Sequence, residues 1–410
     1  MKADKKALDN LKQNFLAIKS KNDIVDVLND ANKMIYDKKV RKITLKSLNY
    51  YANPKLSINR YTTFQIKKKS GANRTINAPV KELKFILRAL NFILHHIAKP
   101  HQAATGFIKG KSVIDNAKEH KGQNYVLNVD LKDFFHAFER KHVKYGFMKH
   151  PFYIGGDREQ LSFMLASLCT HPLEIDGKYK NVLPQGSPTS PIITNILCEK
   201  LDRRLKGLAN RFGAKYTRYA DDITFSSSHY IYQKDDHPVL NSKGCYDNFI
   251  AELNRIVNQL EFDFNPDKTR LQKNGYRQEV TGVVVNEKVN VKKRYVKQLR
   301  QWLHLWEKWG YEIASEKFKN DYLSEKGHVK SEDNKMLNVI DGKLEYLKMV
   351  KGGKDSTYLK LKSRFDKLKA KESQVNKILH IWETEGIDKA MKVYYSSNRK
   401  QSKNVVFTLN

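Results

Sequence analysis

Two adjacent aspartates constrain this chain more than any other feature. Asp221-Asp222 lies between Thr217-Arg218-Tyr219-Ala220 and Ile223-Thr224-Phe225. The β-branched and aromatic residues on both sides predict two short strands with the carboxylates at the bend. Adjacent carboxylates repel unless a cation neutralises them, so the pair is either a solvated turn or half of a site for a hard metal ion. Upstream, Tyr125-Val126-Leu127-Asn128-Val129-Asp130 is a run of β-formers ending in acid, which places Asp130 at the end of a buried strand. A third carboxylate there completes a cage for two Mg²⁺ ions, the arrangement that in-line displacement at a phosphate uses. Between these stretches, Leu183-Pro184-Gln185-Gly186-Ser187-Pro188-Thr189-Ser190-Pro191 is a stiff loop with three prolines, and a helix is predicted over Ile192 to Leu205.

Charge narrows the partners. The 410 residues carry 76 Lys and Arg against 44 Asp and Glu, a net +32 spread along the whole length. A folded chain with that surplus calls for a polyanion, and the 21 Tyr and 19 Phe interleaved with the cations favour nucleic acid over a merely solvated basic surface or a membrane surface. The 40% hydrophobic content suits two or three packed units. No stretch approaches the ~18 consecutive apolar residues of a membrane span, and Met1-Lys2-Ala3-Asp4-Lys5-Lys6 is too polar for a secretion signal, so a soluble cytoplasmic protein without a membrane partner is expected. Cys169, Cys198 and Cys245 lack paired metal-ligand spacing, so neither disulfide nor zinc is expected.

Taken in order, residues 1 to 50 read as helices, with Leu8, Leu11, Phe15 and Ile18 and then Ile24, Val27, Leu28 and Ala31 at helical spacing. Tyr61–Ile66 and Arg74–Ala78 form a hairpin around the basic, glycine-containing tip Lys67-Lys68-Lys69-Ser70-Gly71-Ala72-Asn73. Pro79 opens a helix to Ala98. The loop Gly106–Ser112 precedes a helix on which Asn116 and His120, four apart, share a face. His229 to Gly244 is an inserted loop in which Asp235, Asp236 and His237 cluster, and Tyr246 to Leu260 is a helix. Glu279 to Asn286 reads as one strand, and Tyr295 to Trp309 as an amphipathic helix. The remainder is helical through Trp382 and ends in a polar tail.

Asp130 to Phe135, Pro184-Gln185-Gly186, Tyr219-Ala220-Asp221-Asp222 and Asn265-Pro266-Asp267-Lys268-Thr269, in that order, resemble the palm of a reverse transcriptase. Asn116-Ala117-Lys118-Glu119-His120 is similar to the Asn-Ala-x-x-His element of the bacterial retron type, and Val280-Thr281-Gly282 to its Val-Thr-Gly element. The likeness covers roughly residues 58 to 365, and Ile340 to Gly352 resembles the thumb.

The resemblance implies an α+β right-hand polymerase fold. Its parts would be a helical N-terminal extension (1–57), fingers (58–124), a palm with an antiparallel sheet (125–288), a helical thumb (289–365) and a C-terminal helical extension (366–410). It implies RNA-directed DNA synthesis from dNTPs, with Asp130, Asp221 and Asp222 binding two Mg²⁺ and Lys268 as proton donor to pyrophosphate. Lys68 or Lys69 and Arg74 would close over the triphosphate. Phe135, or Phe134 beside it, would press on the sugar so that a ribose 2′-OH clashes, while Gln185 and Gly186 meet the nucleotide or template base. Asn116, His120, Val280, Thr281 and Gly282 would touch a cognate structured noncoding RNA. The partners implied are that RNA, an RNA-DNA hybrid and an effector protein, in phage defence, with a 2′-OH of the RNA as primer. The rival readings are a defence-associated reverse transcriptase without a retron RNA, a group II intron maturase, and an RNA-binding scaffold that no longer catalyses.

Overall fold

The computed structural model describes residues 5–36, 40–67, 71–229, 243–326 and 335–405. Two compact units divide between Val289 and Asn290.

In the first unit, amphipathic spacing builds the opening helices α1 (Lys5–Leu16), α2 (Lys21–Tyr36) and α3 (Leu45–Ala52). They bury Leu11, Phe15, Ile24, Val27, Leu28 and Leu48 in the same core as the sheet that follows. Strands β1 (Tyr61–Lys67) and β2 (Asn73–Pro79) pair antiparallel from Tyr61 opposite Pro79 to Lys67 opposite Asn73. Helix α4 (Lys81–Ile97) turns Leu83, Ile86, Leu87, Leu90, Ile93 and Leu94 inward. Next come the short α5 (Val113–Glu119), started by a Ser112–Asp115 capping box, and β3 (Tyr125–Asp130). Helices α6 (Arg140–Met148) and α7 (Glu159–Cys169), the hairpin β4 (His171–Ile175) and β5 (Lys178–Val182), and helices α8 (Ser190–Leu197) and α9 (Glu199–Arg211) follow. The unit closes with β6 (Lys215–Tyr219), β7 (Asp222–Ser227), α10 (Lys243–Asn258), β8 (Arg270–Lys273), β9 (Glu279–Val280) and β10 (Val283–Val284).

The central sheet has the order β6-β7-β3-β8, antiparallel throughout. Because β3 lies inside it, its run of Tyr125, Val126, Leu127 and Val129 is buried on both faces. The fold class is α+β, in agreement with the sequence.

Three boundaries differ from the sequence reading. The helix predicted over Ile192 to Leu205 is interrupted at Cys198, whose ψ of 0° leaves the helical range, so α8 and α9 are separate. The strand predicted over Glu279 to Asn286 is a tight hairpin, because Thr281 (φ 47°) and Gly282 (φ 83°) reverse the chain between Val280 and Val283. The third concerns the second unit, which consists of α11 (Lys293–Trp309), α12 (Tyr311–Lys326), α13 (Met336–Lys351), α14 (Ser356–Glu385) and α15 (Ile387–Val405). Its core joins Leu299, Trp302, Trp306, Phe318, Ile340 and Phe365. The boundary placed between residues 365 and 366 falls within the continuous helix α14, whose Phe365 is fully buried.

Cys169 and Cys198 are buried free thiols. Among the described residues no helix is long and apolar enough to cross a membrane. Residues 230–242, which hold Asp235, Asp236 and His237, lie outside the described residues, as do Lys68 and Lys69.

Candidate active site

The pleat brings the aspartates together. Strands β3 and β7 pair so that Asp130 stands directly opposite Asp222, while β6 and β7 close over a two-residue loop, Ala220-Asp221. Such a loop needs a positive φ at its first position, and Ala220 supplies it at 60°, a conformation that costs a non-glycine residue of order 1 kcal/mol or more.

The surroundings hold that strained turn in place. The Asp221 carbonyl accepts from the Leu131 N–H at 3.1 Å, and the Ala220 carbonyl from Arg218 Nη1 at 3.1 Å. Gly106 packs beneath, so close that a Cβ there would lie 2.7 Å from the Ala220 nitrogen. Arg218 is itself fully buried, with Nε and Nη2 each donating to Asp202 at 2.7 Å. Its Nη2 also reaches Asn195 Oδ1 at 3.2 Å, and Asn195 Nδ2 donates to the Gly106 carbonyl at 2.8 Å. Arg218, Asp202, Asn195 and Gly106 thus form a cradle that the sequence reading missed. Its one local signal was a cation, Arg218, set among the β-formers Tyr216, Thr217 and Tyr219, which calls for a partner if the strand is buried.

Electrostatically the three carboxylates outnumber the one ammonium paired with them, Lys268. Burial, and then the charges of Asp221 and Asp130, push Asp222 up to about 7, although its side chain keeps an exposed edge. Burial and Asp130 raise Asp221 as well, while Lys268 and Arg74 act in the other direction. Lys268 Nζ lies 2.9 and 2.8 Å from the two oxygens of Asp130. Burial lowers the pKa of Lys268, but the bond to Asp130 and the neighbouring carboxylates outweigh it and leave the ammonium raised.

Hard oxygen donors that repel one another in a half-buried site fit a divalent cation of the Mg²⁺ class. The cage of three aspartates is nevertheless not closed: among the described residues no three His, Cys, Asp or Glu side chains are grouped so as to hold an ion. Both oxygens of Asp130 are instead engaged by Lys268.

Around the aspartates, the Gln185 carbonyl accepts from the Asn77 N–H at 2.8 Å. Gly186, at φ 128°, lies so near that a Cβ would be 2.6 Å from the Asn77 oxygen. The stiff loop is therefore stitched to β2, whose exposed Arg74 lies on the same hairpin. Phe134 is buried with Phe138 and Phe262. Phe135 is only half-buried, 6.3 Å from Phe107, which lies 6.4 Å from Tyr219. Of the two rings, Phe135 keeps free surface.

The family model described as reverse transcriptase (RNA-dependent DNA polymerase) matches residues 66–285. The chain is 39% identical to the retron Mx162 reverse transcriptase of Myxococcus xanthus over 263 residues, 60% of this chain and 52% of that protein. It is 31% identical to the retron Ec86 reverse transcriptase of Escherichia coli over 284 residues, 68% of this chain and 78% of that protein. The chain belongs to the retron-type reverse transcriptases. The Mx65 enzyme of Myxococcus xanthus is 32% identical over 75% of this chain and 66% of its own length, so the chain spans between half and four-fifths of these relatives. Among solved structures, telomerase from Candida albicans in complex with a fragment of telomeric RNA aligns with a TM-score of 0.40 and 12% identity, covering 76% of this chain and 63% of that one.

Two elements that mark the retron type require a correction. Asn116 and His120 are fully buried, so their side chains offer no surface to an RNA. Thr105 and Thr217 hydroxyls donate to Asn116 Oδ1 at 2.9 and 2.6 Å. Having given its proton to Asn116, Thr217 accepts from His120 Nε2 at 2.7 Å, which leaves His120 Nδ1 to accept from Ser226 at 2.7 Å. The imidazole is thereby fixed neutral, and burial, followed by Lys215 and Lys206, lowers its pKa to about 3. Asn116 Nδ2 reaches Thr281 at 3.5 Å, which ties the turn of the β9–β10 hairpin into the same network. Val280 is buried, Thr281 half-buried and Gly282 exposed, so of the five residues only the Thr281-Gly282 turn has surface to offer.

Proposed function

We propose that the chain is an RNA-directed DNA polymerase of retron type that extends a primer hydroxyl with dNTPs. The observation that carries this reading is the meeting of Asp130, Asp221 and Asp222 at one end of the central sheet, where burial, and then the neighbouring carboxylates, push Asp222 up to about 7. These three would hold divalent cations, which when bound supply charge for the attacking and leaving oxygens. Lys268 steadies Asp130 and stands within reach of the aspartate cluster, suitably placed to donate a proton once released. Arg74, with Lys68 and Lys69, would neutralise the triphosphate, the Phe135 ring would exclude a 2′-OH, and Gln185-Gly186 would bound the nucleotide from the side of β2.

In the same reading, residues 58–124 and 125–288 act as fingers and palm and the helices from 289 as thumb, tracking a hybrid through shape and phosphates. Likeness to retron enzymes, and nothing else, extends it to a cognate noncoding RNA as template and to defence alongside an effector protein.

Extension of a labelled primer on poly(rA) with Mg²⁺ tests the activity. Wild type should extend, and Asp221→Asn with Asp222→Asn should fall by at least about 10³-fold. Equal extension by both would leave only an RNA-binding scaffold. Sequencing the copurified nucleic acid tests the template: one dominant RNA is expected, and a random population would remove the retron part.

A further inference from the structure

Helix α4 turns its apolar stripe inward and leaves a second face lined by cations and rings. Two cavities, of about 570 and about 790 Å³, lie along that face and share Tyr36 and Arg88. Arg41, Lys42, Lys84 and Arg88 line the first, and Lys109 and Lys111 the second. Glu82 is the only carboxylate among the described lining residues, and it is 3.7 Å from Arg41.

The rings are arranged for stacking. Tyr36 lies over Phe85 with centroids 5.6 Å apart and planes at 26°, and its hydroxyl accepts from Arg88 at 3.3 Å. Phe92 and Phe107 line the second cavity, as does Tyr219, two residues before Asp221. The two cavities, which share Tyr36 and Arg88, therefore set cations and rings beside α4, and the second is also lined by Tyr219 next to the aspartate turn.

The geometry points to a track for an unpaired stretch of the template RNA, an inference that rests on the polymerase reading. A duplex presents only phosphates and groove edges, whereas a single strand also offers base faces to an exposed ring such as Tyr36. From Lys81 to His95 the helix runs about 21 Å. At about 3.4 Å per stacked nucleotide, that length takes about six of them.

The test measures equilibrium binding of an RNA template annealed to a DNA primer, with unpaired 5′ template overhangs of one to ten nucleotides. Wild type should gain about tenfold in affinity as the overhang grows, with the gain levelling off near six nucleotides. Lys84→Glu with Arg88→Glu should abolish that gain, and its salt slope on the long overhang should fall by about 1.4. Binding of the one-nucleotide overhang and single-nucleotide extension should stay within about twofold of wild type, which also shows that the variant is folded. Tyr36→Leu, which keeps the cations, should lose part of the gain without changing the slope. No dependence on overhang length in wild type, or equal loss on short and long overhangs in the charge variant, overturns the track. A wild type that gains affinity with overhang but never extends the primer overturns the polymerase reading instead.

Discussion

His120 shows how a single side chain reports on its surroundings. With both ring nitrogens engaged and no access to water, it stays neutral in the fold, at a pKa of about 3 against about 6.5 when unfolded. A histidine whose folded pKa is depressed contributes its full stability above about pH 6.5 and loses it as pH falls toward 3. Over that window the unfolded chain binds the extra proton, so this one group should give stability a slope approaching about 1.4 kcal/mol per pH unit. Urea unfolding of His120→Gln should therefore show a lower plateau at pH 7.5, by about 1–3 kcal/mol, and a shallower acid limb than wild type. An unchanged acid limb would mean that the imidazole is solvated after all. Asp202 makes a complementary case, since removing its charge strands the buried guanidinium of Arg218. Asp202→Asn should cost about 3–5 kcal/mol in the same measurement. Neither role was legible in the sequence. A helical spacing of four says that Asn116 and His120 share a face but not which face is buried, and the Arg218–Asp202 pair is formed by elements whose docking no local pattern encodes. The placement of the three aspartates at a strand end and a bend was legible because its signal is local: acids at the ends of β-forming runs.

At the scale of elements, the β6–β7 hairpin that carries Asp221 and Asp222 is also held by close backbone contact. Gly106 shows this directly, because an added Cβ would meet the Ala220 nitrogen at 2.7 Å and the Tyr219 Cα at 3.1 Å, and neither is a side chain that can swing aside. Gly106→Ala should therefore displace the turn, lowering primer extension by about 10²-fold. Binding of nucleic acid to the exposed cations should remain nearly unaltered, and a gel-shift assay beside the extension assay checks the split. Extension at the wild-type rate would show that the turn tolerates the shift. The hairpins β1–β2 and β6–β7 were legible, since turn residues flanked by β-formers specify them. The β9–β10 reversal was not, because Val280-Thr281-Gly282-Val283 reads as continuous strand until Thr281 is seen at a positive φ that its branched side chain resists. The break at Cys198 has the same character: both flanks are good helix, and only the backbone geometry separates them.

At the scale of the whole molecule, each of the two units carries its own apolar core, and the excess of cations is not confined to either. A net +32 on 410 residues is a large electrostatic self-repulsion, which a bound polyanion offsets by releasing its counterions. If the chain holds a structured RNA through about six to ten phosphates, its affinity should fall by about 10³–10⁵ between 50 and 200 mM salt, linearly on logarithmic axes. Filter binding across that range checks the number of contacts directly from the slope. Direct readout of bases would add affinity that salt leaves untouched, so a specific RNA and a random one of equal length should give parallel lines separated by a constant offset. A slope near zero for both would mean that the cations only keep the protein apart from its neighbours, and the nucleic-acid reading of the charge would fall with it.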